Sequence, residues 1–273
     1  MRISVLIDSG NNGQFIEATV ESVLNQTRVA DEIIVSDDGS TDDTCEVIRR
    51  RFGGRVIVAG DTRLPGESHR ARQAASIARA FLRSTGDLVF LLDGDDLFLP
   101  QRIERYAAVM ESIPDVVMVQ SPLQHIDAAG GAISSHGRDH PPSDDLLPGI
   151  YRRQDLDCFY STSALAFRRS FLQRTLPLDL ADGIDLWTDY RLCIAAAVAG
   201  RVVTLADITG CWRRHAGSAS LQLFKQRTFL PRLALARVRY FNRCRQGTPL
   251  RPLQPWRSGR FYLRWLHQLA FWA

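Results

Sequence analysis

Cysteine is scarce: the five present, Cys45, Cys158, Cys193, Cys211 and Cys244, are odd in number, scattered and without a Cys-x-x-Cys pair. That pattern excludes a disulfide framework and a thiolate zinc site, and it suits a reducing cytoplasm. Lysine is scarcer still, with Lys225 alone among 34 basic residues, so positive charge here means arginine. No apolar run reaches the roughly 18 residues that a conventional spanning helix requires. Asp8 interrupts the first apolar stretch too early for a secretory leader. The 19 glycines and 12 prolines follow no period, which excludes collagen-like and repeat architectures. Hydrophobic residues make up 45% and charged ones 23%, so a disordered chain is excluded as well.

Acidic residues are missing from one region altogether. Residues 220–273 hold eleven Lys or Arg and no Asp or Glu, so the net +4 of the chain leaves −7 for residues 1–219. The sequence therefore divides into an acidic body, 1–219, and a basic tail, 220–273, that also carries ten aromatic residues.

Within the body, short apolar runs alternate with longer amphipathic ones. Strands are expected at 3–7, 32–36, 55–59 and 87–92, the last apolar on both faces and so central. Helices with 3.6-residue spacing fall between and after them, at 15–24, 42–52, 67–82 and 100–112, the last opened by Pro100. This β-α rhythm argues for a parallel sheet covered on both sides. Beyond residue 115 the rhythm loosens into strands at 116–120, 163–167 and 201–205, a helix at 189–199, and a polar, proline-rich loop at 134–149.

In open parallel sheets ligands sit beyond the carboxyl ends of the strands. Strand one ends in Asp8, strand two in Asp37-Asp38-Gly39-Ser40-Thr41-Asp42, and strand four in Asp93-Gly94-Asp95-Asp96. An Asp-Gly pair after a strand is often no more than a turn, and Asp42 suits a helix cap. Three acidic strand ends in one crevice, however, repel one another unless a cation joins them. Mg²⁺ or Mn²⁺ bridging a diphosphate is the simplest ligand that makes such a crevice favourable.

These segments also carry a resemblance. Asn11-Asn12-Gly13, Ser22-Val23-Leu24-Asn25-Gln26-Thr27, the run from Asp31 to Asp42, and Gly86-Asp87 leading to Asp93-Gly94-Asp95-Asp96 resemble the nucleotide-binding half of family 2 glycosyltransferases. The likeness continues through Thr162-Ser163-Ala164, Phe167-Arg168-Arg169 and Tyr190 to Arg213-Arg214-His215. It implies a GT-A fold, a Rossmann-like α/β/α sandwich with a mostly parallel central sheet, in which 1–115 is the nucleotide-binding half and 116–219 the acceptor half. It further implies sugar transfer from a nucleotide-sugar donor of the UDP, dTDP or GDP type. On this sequence Asp37 and Asp38 would hold base and ribose, joined at the end of strand one by Asp8. Asp93, Asp95 and Asp96 would hold ribose and metal, with Asp95 the direct metal ligand. Arg213 and His215 match a stretch that approaches the diphosphate and metal. Arg70 or Arg72 would meet the diphosphate, the alternative being plain surface arginines. Where the family usually has a proline and an aromatic before the Asn, this chain has Asp8 and Gly10, so a stacking platform for the base is missing.

Transfer with inversion needs a base beside the acceptor hydroxyl. Asp182, Asp185 and Asp189 are the candidates. The resemblance places the base at the start of a helix that ends in glycine before a strand. That favours Asp189, with Asp185 next.

The tail spaces apolar residues helically with arginines between. Arginine with Trp and Phe on such helices suits an anionic membrane surface. Packing against the acidic body is the second reading, and nucleic acid is not an expected partner. Together these features anticipate a metal-dependent inverting glycosyltransferase at the inner face of the cell membrane, acting on a glycan or lipid-linked acceptor. A lapsed enzyme serving as a binding partner is one alternative. A sugar nucleotidyltransferase is another, although the loop 9–13 lacks the cation such an enzyme wants.

Overall fold

The fold grows from β1 (Ile3–Ser9), whose residues alternate strictly between two apolar layers. Ile3, Val5 and Ile7 point to one layer and Leu6 to the other, and all four are fully or almost fully buried. Each such side chain contributes about 1.5–3 kcal/mol by leaving water. The computed structural model describes residues 1–62, 68–133, 140–184, 186–218 and 229–257.

β1 is flanked in parallel by β2 (Glu32–Asp37) and β4 (Leu88–Asp93), and β3 (Ile57–Gly60) lies outside β2. Beyond β4 come β8 (Leu165–Arg168), β6 (Val116–Gln120) and β9 (Arg201–Thr204), completing a seven-stranded sheet of order β3-β2-β1-β4-β8-β6-β9. Only β8 runs against its neighbours. The sheet is thus mostly parallel, as the sequence anticipates. The strand order reverses direction between β1 and β4, and a ligand crevice forms at such a switch point.

One face of the sheet is covered by α1 (Ile16–Leu24), α2 (Thr44–Phe52) and α4 (Arg102–Ser112), which bring Val20, Ile48 and Tyr106 onto Ile3, Val5 and Ile7. The other is covered by α3 (His69–Arg83), α5 (Leu147–Arg153), α6 (Arg169–Thr175) and α7 (Thr188–Ala199). Ser68 caps α3 by accepting the Ala71 N–H at 3.2 Å. A second, three-stranded sheet of β5 (Leu97–Phe98), β10 (Gly210–Arg213) and β7 (Leu123–Ile126) folds over the carboxyl edge of the first. The periodicity of the sequence gives no sign of this small sheet or of α6.

The tail departs from expectation over its described part. A helix, α8 (Phe229–Cys244), lies against α7 and puts Leu233, Val238, Tyr240 and Phe241 into the main core. Arginines fasten it: Arg237 to Asp157 at 3.3 Å, and Arg243 to Asp179 at 2.5 Å and to Asp182 at 3.2 Å. Its outer face carries Arg232, Leu235 and Arg239. Arg237 and Arg243, whose spacing also suits a membrane face, thus meet acids of the body: half-buried Asp157, buried Asp182 and exposed Asp179. Residues 220–228 and 258–273 lie outside the described residues. No helix among the described residues is long and apolar enough to cross a membrane.

Candidate active site

The parallel register sets Asp8 of β1 directly beside Asp93 of β4, and Ser9 beside Asp37 of β2. Three acidic strand ends therefore share one edge. Asp37 is fully buried and serves the backbone: its carboxylate accepts the Ser40 N–H at 2.7 Å and the Ser40 hydroxyl at 2.5 Å. This closes the turn through Gly39, whose φ of 69° favours glycine. Asp38, next along, faces the cleft and pairs with Arg72 of α3 at 2.7 Å. The arginine that meets this edge by an ion pair is thus Arg72. Arg70 instead lies over the ring of Trp187, 5.3 Å from its centroid.

Asp8 and Asp93 are half-buried deep in the cleft. Burial pushes the Asp8 carboxyl up to about 7, with the charges of Asp38 and Asp95 adding to the effect, against a Ser76 hydrogen bond and the Arg79 charge. Burial likewise raises Asp93 well above the carboxylate range, and Asp96, Asp95, Asp8 and Asp189 all push it the same way. Gln73 of α3 reaches Asp93 Oδ1 at 3.5 Å, and the Ser163 hydroxyl accepts the Asp93 N–H at 3.0 Å. Gly94 follows because a Cβ there would stand 2.6 Å from Asn12 Nδ2 and 2.8 Å from Ser9 Oγ.

The two acids after Gly94 part ways. Asp96 turns inward, fully buried, and its Oδ1 accepts the Arg213 N–H at 2.7 Å while Oδ2 has no hydrogen-bond partner. Asp95 stays 20% exposed and meets His215 Nε2 at 2.8 Å. His215 Nδ1 accepts the Gly217 N–H at 3.2 Å, so in the neutral ring the proton sits on Nε2 and is donated to Asp95. Arg213 is spent on structure: its guanidinium donates to the carbonyls of Asp95, Asp127 and Ala128 and lies over the Phe15 ring at 4.9 Å. Phe15, which also touches the His215 ring at 4.8 Å, is the aromatic floor that sequence reasoning missed.

A divalent cation fits this donor set in one way. Among the described residues no three His, Cys, Asp or Glu side chains converge as a metal site. Asp95 is nonetheless a partly open carboxylate oriented by His215, beside Asp93, whose neighbours are acids. A hard cation seated there would take one or two protein ligands and complete its shell with diphosphate oxygens and water, as Mg²⁺ commonly does.

Across the cleft stands Asp189, in the first turn of α7. It accepts the Tyr190 N–H at 2.7 Å. Burial pushes its carboxyl up to about 6. The Thr188 hydroxyl beside it donates to the Arg70 carbonyl of α3 at 3.4 Å, and Gln73 of the same helix reaches Asp93, so α7 opens on the same crevice. Asp182 has a different fate: both its oxygens are held by Arg191, at 2.7 and 2.8 Å, and its side chain has no solvent exposure. That hydrogen bonding holds it below the ordinary carboxylate range. Asp185 lies outside the described residues.

A Rossmann-like sheet with a carboxylate-lined switch point, covered by a second small sheet, defines the nucleotide-sugar class of GT-A folds. Residues 4–176 match the family described as Glycosyl transferase family 2. The chain belongs to that family and is a glycosyltransferase. It is 32% identical over 216 residues to an uncharacterized glycosyltransferase of Nostoc sp., covering 79% of this chain and 65% of that one. It is 34% identical over 228 residues to the UDP-Glc:alpha-D-GlcNAc-diphosphoundecaprenol beta-1,3-glucosyltransferase WfaP of Escherichia coli, covering 82% of each. Among solved structures, TarS 1–349 of S. aureus in complex with UDP-GlcNAc superposes with a TM-score of 0.66 at 15% identity, covering 98% of this chain and 72% of that one. The mannosyltransferase PcManGT of Pyrobaculum calidifontis, in complex with GDP-Man and Mn2+, gives 0.62 at 18%, covering 98% and 72%. At these identities the likeness is one of fold.

Proposed function

We propose that this chain is a divalent-metal-assisted, inverting glycosyltransferase. In this reading it moves a hexose from a nucleoside diphosphate donor, most simply UDP-glucose, to a hydroxyl of a lipid-linked glycan. It would work at the inner face of the membrane. The observation that carries the reading is the opposition of two carboxylate sets across one crevice: Asp8, Asp38, Asp93 and Asp95 on the strand ends, and Asp189 on α7. The donor and acceptor classes are supported by the relative WfaP, whose name carries both.

In this reading the roles are these. Asp189 takes the proton of the acceptor hydroxyl as its oxygen bonds to the anomeric carbon, and the bond from that carbon to the diphosphate oxygen breaks with its electron pair. Asp38, fixed by Arg72, and the backbone turn held by Asp37 line the nucleoside side. Asp95, oriented by His215, would hold the cation, which neutralises charge developing on the leaving diphosphate. Arg213 and Asp96 keep the Asp95 loop in place from behind.

The test is binding of UDP, GDP, dTDP and CDP by thermal shift, with and without Mn²⁺, in the protein and in Asp95→Ala. A manganese-dependent shift with one nucleotide, lost in the variant, supports the reading. A well-folded protein that shifts with none of them sinks it and leaves a lapsed enzyme. Turnover is then read as UDP release from UDP-glucose with a GlcNAc-diphosphoundecaprenol acceptor.

A further inference from the structure

Arg237 lies on α8, in the segment of lowest acid content, yet its side chain is only 6% exposed. Burying a guanidinium is costly unless its charge and its N–H groups find partners. Arg237 Nη1 reaches Asp157 Oδ1 at 3.3 Å, and Nε has no hydrogen-bond partner. The flat of the guanidinium covers the ring of Tyr190 at 3.8 Å, the shortest cation–ring distance among the described residues. Tyr190 directly follows Asp189 and shares the first turn of α7 with it. That turn has no side-chain cap of its own. It is held from three sides: Arg191 pairs with Asp182, the Thr188 hydroxyl donates to the Arg70 carbonyl at 3.4 Å, and the Tyr190 ring takes the Arg237 guanidinium. The titratable groups set against Asp189 come from three elements: the Arg237 guanidinium from α8, the Asp93 carboxyl from β4, and one turn along α7 the Cys193 thiol, which burial keeps neutral.

We propose that Arg237 is a positioning residue for the acceptor-side carboxylate: stacked on Tyr190 and anchored by Asp157, it fixes the first turn of α7 and sets a positive charge behind Asp189. The C-terminal helix, which lies beyond the family match at 4–176, thereby completes the active site. This rests on the reading of Asp189 as the base. Arg237 touches neither donor nor acceptor in this account and acts only through Asp189 and Tyr190. The other α8 anchor, Arg243 with Asp179 and Asp182, holds the same helix without facing Asp189.

The experiment follows the Asp189 carboxyl carbon by ¹³C NMR across pH 4–9 in the full chain, alongside UDP release from UDP-glucose. In Arg237→Met the titration midpoint is expected to rise by about one unit, with turnover at pH 6.5 falling about threefold and nucleotide affinity unchanged. Arg237→Lys restores the charge and returns the midpoint. Should Arg237→Met fail to fold because Asp157 loses this partner, Arg237→Met/Asp157→Asn removes both charges and is read in its place. Arg243→Ala is the control for docking of α8 and leaves the midpoint where it was. A folded Arg237 variant with an unmoved midpoint overturns the proposal, as does an equal shift in Arg243→Ala. Asp189→Asn separates the two readings. Full turnover there, with a moved midpoint in Arg237→Met, overturns the base assignment alone. Lost turnover there, with an unmoved midpoint in the Arg237 variants, overturns the positioning role alone.

Discussion

Asp182 and Asp189 lie seven residues apart on one segment, yet they belong to two different regions of the molecule. Asp182 sits where α7 and α8 meet, and there acids and arginines pair: Asp182 with Arg191 and Arg243, Asp179 with Arg243, Asp157 with Arg237. Asp189 sits on the cleft, where carboxylates face carboxylates and burial raises their pKa values. The first region spends its charge on holding helices together. The second stores unfavourable charge that a cationic or proton-donating ligand relieves. Acidic residues of equal sequence character thus part by their tertiary surroundings: Asp182 and Asp157 meet arginines that hold helices together, whereas Asp8, Asp93 and Asp189 are buried on a cleft shared with other carboxylates.

The largest effect expected from this contrast is on Asp189. Its replacement by Asn removes the base but keeps the shape, and turnover should fall about 10²–10⁴-fold with nucleotide affinity unchanged. Steady-state UDP release and a nucleotide titration on the same preparation check it. Retained turnover would move Asp189 into the structural class and erase the distinction.

Next comes the paired side. Arg191→Met leaves Asp182 with Arg243 at 3.2 Å and the Ile184 N–H at 2.9 Å, and urea unfolding should show a loss of about 3 kcal/mol, the lower end for breaking a buried pair. Arg191→Met/Asp182→Asn should recover most of it. If the double variant is as unstable as the single one, the packing of Arg191 on the Tyr240 ring at 4.8 Å matters more than its charge.

Much of this was legible in the residues. β1, β2 and β4 announce themselves as unbroken apolar runs, and Asp8, Asp37 and Asp93 fall at their ends because a parallel sheet leaves its carboxyl edge open. The turn chemistry of Asp37-Asp38-Gly39 was legible too. What sequence could not supply was pairing between distant elements. Nothing along the chain joins Arg72 to Asp38, 34 residues away, or Arg237 to Asp157, 80 residues away. β5, β7 and β10 escaped because Leu97–Phe98, Leu123–Ile126 and Gly210–Arg213 hold neither the apolar run nor the alternation that marks strands such as β3 and β9. The described part of the basic, aromatic tail follows the second reading, packing on the body, and spacing does not choose between the two: arginines with apolar neighbours at helical spacing suit an anionic surface whether it is lipid or this protein's own acids.

pH should separate the two regions with opposite sign. Asp189 must be ionised to accept a proton, so kcat/KM should fall about tenfold per unit below a midpoint near 6. For stability, a carboxyl raised on folding favours the fold below its unfolded value and burdens it as pH climbs through the folded one. Asp189→Asn should therefore stabilise the protein at pH 8, with the gain shrinking towards pH 4. Asp182, lowered by Arg191, contributes stability above its unfolded value and loses it as pH falls. Urea midpoints of Asp189→Asn and Asp182→Asn against pH should move in opposite directions, and parallel curves would break the sorting.

The smallest effect is a control on the idea itself. Arg50 and Glu46 form an i,i+4 pair on α2 at 3.4 Å, with side chains 63% and 71% exposed. Both groups are solvated before and after pairing, so little is gained, and Arg50→Ala should change stability by no more than about 0.5 kcal/mol. The residue pairing resembles that of Arg191 with Asp182, but its surroundings differ. A loss approaching that of Arg191→Met would mean that the number of ion pairs, and not their burial at the α7–α8 junction, is what holds this fold. A null result would leave the burial of the paired charges as the reason the α7–α8 ion pairs stabilise the fold while an exposed pair does not.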